Sequence, residues 1–210
     1  MKLKIGIVGA GNIGGTLGEL WAAAGHEVML SSRHPAQLTE LTERLGPNGH
    51  ADTIERAAEF GEIVLLAIPL KGVEQAFTKI QESFSGKIVM DAMNPFPGRD
   101  GRVAQNVIDR EIASGVATQE RLPDSRVVRV FSSVYYGDLQ SEAHRDGNPL
   151  AIPLAGTDDE AKRVVADLVQ DAGFTHYDLG DLENSKALDP GGILFGKSLT
   201  VKDMEQIARS

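Results

Sequence analysis

The chain of 210 residues contains no cysteine. That absence excludes a disulfide framework, a thiolate metal site and a cysteine nucleophile together. Aromatic residues make up only 5% of the chain, and its five histidines are scattered without ligand spacing, so no metal site is expected. Basic residues are outnumbered by acidic ones, 21 to 30, which leaves a formal net charge of −9. A nucleic-acid backbone repels such a surface, so nucleic acid is not expected as a partner, and an anionic ligand would have to be held by local donors. No apolar run approaches the ~20 residues that span a bilayer, and Met1-Lys2-Leu3-Lys4-Ile5 lacks the apolar stretch of a signal peptide. The expectation is a cytoplasmic protein with no membrane partner.

What the sequence does have is an alternation of strand-like and helix-like segments. The apolar runs Ile5–Val8, Val28–Leu30, Ile63–Ile68, Ile88–Met90 and Val127–Phe131 are nearly continuous. Parallel strands buried on both faces read this way. Between the first two runs Leu17, Leu20, Trp21 and Ala24 fall at helical spacing, and Gly25 supplies a left-handed stop. Further helices are predicted over Pro35–Leu45, Asp52–Glu59, Val73–Ser83, Gly115–Leu122 and Asp158–Ala172, with strands at Ile152–Leu154 and Thr175–Leu179. Asn94–Gly101, with two prolines and two glycines, reads as a loop. The segment after Phe131 is polar as far as Pro149, and the tail from Asp181 shows no clear pattern. The fold class expected is α/β: a Rossmann-type doubly wound, mostly parallel sheet with helices on both faces and a small C-terminal sheet extension. We expect a single dinucleotide-binding domain over 1–210, its core spanning about 1–133 and its extension about 134–210.

Gly9-Ala10-Gly11-Asn12-Ile13-Gly14 fits the pattern GxGxxG. Alone it is a weak signal, but here it follows a strand and opens a helix, the context in which it binds dinucleotides. Gly9 permits the tight turn, Gly11 lets backbone approach a pyrophosphate, and Gly14 lets the helix pack close to the strand. A turn without a ligand would not need three glycines, each with its cost in backbone entropy. NAD sites usually carry an acid at the end of the second strand, to bind the ribose hydroxyls. This chain instead has Ser31-Ser32-Arg33-His34. Two hydroxyls and a planar cationic fork suit a 2′-phosphate, so NADP(H) is the expected cofactor, with His34 beside the adenosine. The competing reading of Arg33 is an ordinary surface arginine.

The chain resembles the NADP-dependent oxidoreductases typified by NADPH:F-420 (deazaflavin) oxidoreductase. The resemblance is carried by the glycine loop, Ser31-Ser32-Arg33, Leu66-Ala67-Ile68-Pro69, Asp91-Ala92-Met93-Asn94-Pro95, Arg126-Val127-Val128-Arg129-Val130-Phe131-Ser132-Ser133, and Gly180-Asp181-Leu182-Glu183-Asn184-Ser185-Lys186. The reductase domain of the Steap metalloreductases is similar over the same core. The resemblance implies that Ile68 and Pro69 border the ribose and nicotinamide, and that Asn94 and Pro95 line the nicotinamide side. It also implies a deazaflavin (F-420) or flavin as second substrate, and a homodimer is common among similar proteins. The family often has Asn-Thr where this chain has Ser132-Ser133, and smaller residues where it has Tyr135-Tyr136. The acceptor pocket expected from Ser132, Ser133, Tyr135 and Tyr136 is therefore this chain's own.

No acid–base constellation is evident at the strand ends, so no catalytic residue is assigned. Hydride transfer between stacked rings needs mainly positioning, since the cofactors carry the chemistry. His144, between Glu142 and Asp146, reads as a solvated loop residue. Two readings compete with an NADP(H) oxidoreductase acting on a small-molecule acceptor. One is a redox-sensing regulator that binds NADP(H) without turnover. The other is a small-molecule dehydrogenase or reductase, which would usually add a large helical second domain.

Overall fold

In the computed structural model, residues 2–208 are described. The strands are β1 Lys4–Val8, β2 Glu27–Ser31, β3 Gly49–Asp52, β4 Ile63–Leu66, β5 Ile88–Asp91, β6 Arg126–Val130, β7 Ala151–Gly156 and β8 Thr175–Asp178. They form one sheet in the order β3-β2-β1-β4-β5-β6-β7-β8. Pairing is parallel from β3 through β6, antiparallel between β6 and β7, and parallel again between β7 and β8. Strand order therefore reverses between β1 and β4, the switch point at which open α/β sheets hold ligands beyond their carboxyl ends.

The helices are α1 Asn12–Ala23, α2 Thr39–Leu45, α3 Ile54–Phe60, α4 Val73–Ile80, α5 Pro97–Asp100, α6 Arg102–Asp109, α7 Ser114–Arg121, α8 Tyr136–Ser141, α9 Asp159–Asp171 and α10 Val201–Ala208. Successive strand residues point to opposite faces and so divide between two cores. Ile63, Leu65, Ile88 and Met90 pack on the face that carries Trp21, while Val64, Leu66 and Val89 pack with Phe77 and Phe84 on the other. Burial on both faces explains why these strands read as continuous apolar runs. Trp21 is fully buried, donates its indole N–H to the Leu168 carbonyl at 2.8 Å, and meets Phe131 edge-on at 5.9 Å. It thereby ties α1 to α9 and to the end of β6, and its loss would cost about 3–5 kcal/mol.

The doubly wound sheet and the C-terminal extension agree with the sequence pattern. Several segments differ from it. β3 was not foreseen, because Gly49-His50-Ala51-Asp52 is a short, half-buried edge strand that needs no apolar face. The supposed loop Asn94–Gly101 contains α5, which begins on Pro97, where a missing N–H costs nothing, and is tied by the Asp100 carboxylate, which accepts the Phe96 N–H at 3.3 Å. The polar stretch after Phe131 contains α8, and the tail folds into a 3-10 helix, Leu182–Leu188, followed by α10. Among the described residues no helix is long and apolar enough to cross a membrane.

Candidate functional site

Two cavities open beyond the carboxyl ends of the parallel strands, one on each side of the glycine loop. The first, about 460 Å³, lies toward β2 and is lined by Gly9, Ser31, Ser32, Arg33, Lys71 and Lys79, among others. The second, about 470 Å³, lies toward β5 and β6. Ile68 and Pro69 border both, so the two form the halves of one cleft across the switch point.

The loop between them owes its shape to close approaches that only glycine allows. Gly9 sits at φ +109°, and a Cβ there would lie 2.6 Å from the Ala67 carbonyl oxygen; one on Gly14 would lie 2.0 Å from the Gly9 carbonyl oxygen. At Gly11 a Cβ would meet nothing within 4 Å, because that position faces the cleft. Gly11 is also the N-cap of α1, with no side chain capping the helix and no acid in its first turn. The positive end of the helix dipole is left to an anion. A dinucleotide fits this arrangement: pyrophosphate on the start of α1, and one nucleoside in each cavity.

The end of β2 departs in detail from the sequence reading. Ser31 is buried, and its hydroxyl accepts the Gly9 N–H at 3.2 Å, so it braces the glycine loop as well as lining the cavity. The Ser32 hydroxyl accepts the His34 N–H at 3.0 Å. Arg33 is exposed at the cavity wall, and Lys71 and Lys79 add cations from the start and end of the next helical segment, with Lys79 paired to Glu55 at 3.0 Å. His34 is exposed and not part of the lining, Pro95 is buried beneath it, and Gly14 lies under the loop.

Asn12, Ile13, Asn94, Ser132, Ser133, Tyr135 and Tyr136 all reach the second cavity. The Tyr135 and Tyr136 rings lie 4.6 Å apart, tilted by 50°, and the Tyr136 hydroxyl pushes the Tyr135 phenol above its ordinary pKa. The same cavity is lined by Phe96 and Phe195, with ring centroids 6.1 Å apart, and by Arg99, whose guanidinium is 5.0 Å from the Phe96 centroid. Phe96, Arg99 and Phe195 were not anticipated; Phe195 comes from the tail, about sixty residues beyond Tyr136 and about a hundred beyond Phe96. Burial opposes ionisation of Asp100, but hydrogen bonds from Arg99 and from the Lys71 and Phe96 amides outweigh it and hold the carboxyl below the usual aspartate range. Among the described residues no cluster could hold a metal ion.

Known proteins are similar to this chain. Residues 4–95 match the family model described as NADP oxidoreductase, coenzyme F420-dependent. The F420-dependent NADP reductase of Methanocaldococcus jannaschii is 29% identical over 89% of this chain and 88% of its own length. The chain is similar to this family over those residues. A solved structure of a hypothetical protein from Sinorhizobium meliloti is 30% identical, with a TM-score of 0.82 over 95% of this chain and 96% of that one. The metalloreductase STEAP3 of Rattus norvegicus is 25% identical over 89% of this chain, which spans only 36% of that protein's length. The enzyme is thus an NADP-dependent oxidoreductase.

In this enzyme the strand ends carry an ionisable cluster that the sequence reading passed over. Arg129 is fully buried, with Asp91 at 3.1 Å and Asp189 at 3.2 Å. Asp91 also accepts from the Thr118 hydroxyl at 2.8 Å and the Met93 amide at 2.9 Å, and Asp189 accepts the Ser114 amide at 3.0 Å. Each charge faces an opposite one, so the cluster is suited to holding atoms in place and not to exchanging protons with a ligand. A warning was present in Arg126-Val127-Val128-Arg129-Val130, where an arginine interrupts a buried strand and lies in register beside Asp91. Asp189, in the tail, gave no such sign.

Proposed function

We propose that the enzyme transfers a hydride between NADPH and a planar redox acceptor, a deazaflavin or flavin, held against the aromatic walls of the second cavity. The observation that carries this reading is the pairing of a cationic cavity and an aromatic cavity on either side of the uncapped start of α1. Gly9, Gly11, Asn12 and Ile13 would cradle the pyrophosphate, Ser31, Ser32 and Arg33 the 2′-phosphate end, and Ile68, Pro69 and Asn94 the nicotinamide side. NADPH, when bound, supplies the hydride from its nicotinamide ring. The protein's own part is orientation: Tyr135, Tyr136, Phe96 and Phe195 offer flat area with little rotamer entropy to lose. The acceptor is a small molecule, and no protein acid or base is required in the transfer.

The test offers NADPH with a panel of deazaflavin, flavin, quinone and ferric acceptors. Deuterium at the transferring C4 position should appear in the deazaflavin product. Solvent-derived deuterium there would exclude direct transfer, and binding of NADPH with no turnover on any acceptor would leave a redox-sensing role.

A further inference from the structure

Asn94 stands between the two cavities' shared border and the end of β6, and it is held at three points. Its backbone carbonyl accepts from Arg99 Nη2 at 2.9 Å, its side-chain oxygen accepts from Arg129 Nη2 at 2.9 Å, and its amide nitrogen donates to the Ser132 carbonyl at 2.7 Å. A guanidinium on one side and a carbonyl on the other fix which way the carboxamide points. One of its two N–H groups is then committed, and the second is free for a ligand in the cavity that Asn94 lines.

Beside it, the Ser132 hydroxyl is buried and has no hydrogen-bond partner, although Ser132 also lines the second cavity. A buried orphan hydroxyl is costly unless something completes it. The backbone just before it is strained, because Phe131, not a glycine, sits at φ +58° while its ring packs on Trp21. That turn brings the Ser132 carbonyl to Asn94. A free N–H donor and a hydroxyl that can both give and accept match a primary carboxamide, which accepts at its oxygen and donates at its nitrogen.

We propose that Arg129 is a positioning residue: it sets the Asn94 carboxamide so that Asn94 and the Ser132 hydroxyl together grip the carboxamide of the nicotinamide ring. The proposal rests on the cofactor placement given above. Only a planar fork reaches the Asp91 carboxylate, the Met93 carbonyl, Asn94 and Asp189 at once; a lysine ammonium, as a point charge, does not. Asp189 makes the C-terminal segment a working part of the site. It holds one side of the fork while Asp91, the in-register neighbour on β5, holds the other. An ion pair buried for stability alone has little advantage over an apolar filling, which is further reason to look for a positional role.

The experiment compares affinity for NADPH with affinity for 2′-phospho-ADP-ribose, which keeps every part of the cofactor except nicotinamide. Wild type should prefer NADPH. Arg129→Lys should lower NADPH affinity about five- to tenfold, the worth of one hydrogen bond, and leave the fragment unchanged. Asn94→Ala should do the same, and the double variant should lose no more than either single one. If Arg129→Lys fails to fold, Asp189→Asn releases one side of the fork and should shift the same ratio in the same direction. Equal losses for both ligands, no change for NADPH, or additive losses in the double variant would overturn the proposal. The outcomes also separate it from the reaction proposed above. Binding data as expected with no acceptor reduced would sink the hydride-transfer reading alone, while wild type binding neither ligand would sink both.

Discussion

The two halves of the cleft are built in opposite ways. The phosphate half is centred on a short stretch of chain, Gly9 to Arg33, that works mostly through backbone: a loop without side chains, a helix start without a cap, and a strand end that braces the loop through Ser31, with Ile68 to Lys79 closing the cavity's other side. The acceptor half is assembled from Asn94 to Arg99, Ser132 to Tyr136 and Phe195, and works through side chains. Backbone geometry tolerates little substitution and recurs wherever the motif does. Side-chain walls can be exchanged one at a time. On this view the proposed cofactor half is fixed by the motif, and the proposed acceptor half is where a chain of this fold would acquire its own partner.

The largest effect expected from breaking this comparison is at Gly14. Gly14→Ala forces a methyl 2.0 Å from the Gly9 carbonyl oxygen, which neither backbone can yield cheaply, and should cost about 3 kcal/mol or more of stability. Gly11→Ala, into open space, should leave the denaturation midpoint within ~0.5 kcal/mol of wild type while weakening NADPH and NADH alike. If both alanines proved equally harmless to folding, the loop would not be the rigid object described.

Next comes Arg33. Arg33→Ala should weaken NADPH by ~1.5–3 kcal/mol, the scale of a charge-assisted hydrogen bond, and leave NADH nearly unchanged. Equal losses in calorimetric titrations of the two cofactors would remove Arg33 from the 2′-phosphate.

On the acceptor side the effects should be smaller. Tyr135→Ala, Tyr136→Ala or Phe195→Ala removes one ring from a wall of several, worth ~0.5–1.5 kcal/mol, and should raise acceptor KM or lower kcat several-fold without altering NADPH affinity. Wild-type kinetics in all three would make the rings packing residues only.

The smallest effect concerns the loop that presents Phe96. Asp100 has a folded pKa below the unfolded aspartate value of 3.8, so its contribution to stability is fully present above that value and is lost as pH falls through the folded pKa. Melting curves of wild type and Asp100→Asn should therefore differ at about pH 5–7 and converge only once the pH has fallen below the folded pKa. A gap that persisted at low pH would mean the carboxylate's charge is not what ties Arg99 and Phe96 together.

The asymmetry between the halves also explains what the sequence revealed. The glycine loop and Arg33 were legible because local spacing encodes them, and the buried strands because burial on both faces leaves an unbroken apolar run. β3 was hidden by its polar edge position, and α5 by two prolines and two glycines that suggested a loop, although Pro97 starts the helix. Ser132, Tyr135 and Tyr136 could be placed on the ligand side because they follow β6 directly. Phe195 and Asp189 could not, since only the path of the folded tail brings them back to the cleft. Arg129 was readable in principle, as a charge inside an apolar strand.

That path follows from the reversal between β6 and β7. Because β7 and β8 run against the other strands, the chain leaves β8 at the far end of the sheet from the cleft. The 3-10 helix Leu182–Leu188 then climbs back beside α7, delivering Asp189 to Arg129 and Phe195 to Phe96. On the ribosome this sets an order of arrival. The residues proposed to hold the phosphates and the adjoining ribose have been made once Pro69 is added, whereas the aromatic wall waits for Phe195. At ~5–20 residues per second the interval is about 6–25 s. If the proposed reading holds, a nascent chain acquires the phosphate-holding parts of its reductant site well before it has anywhere to deliver the electrons.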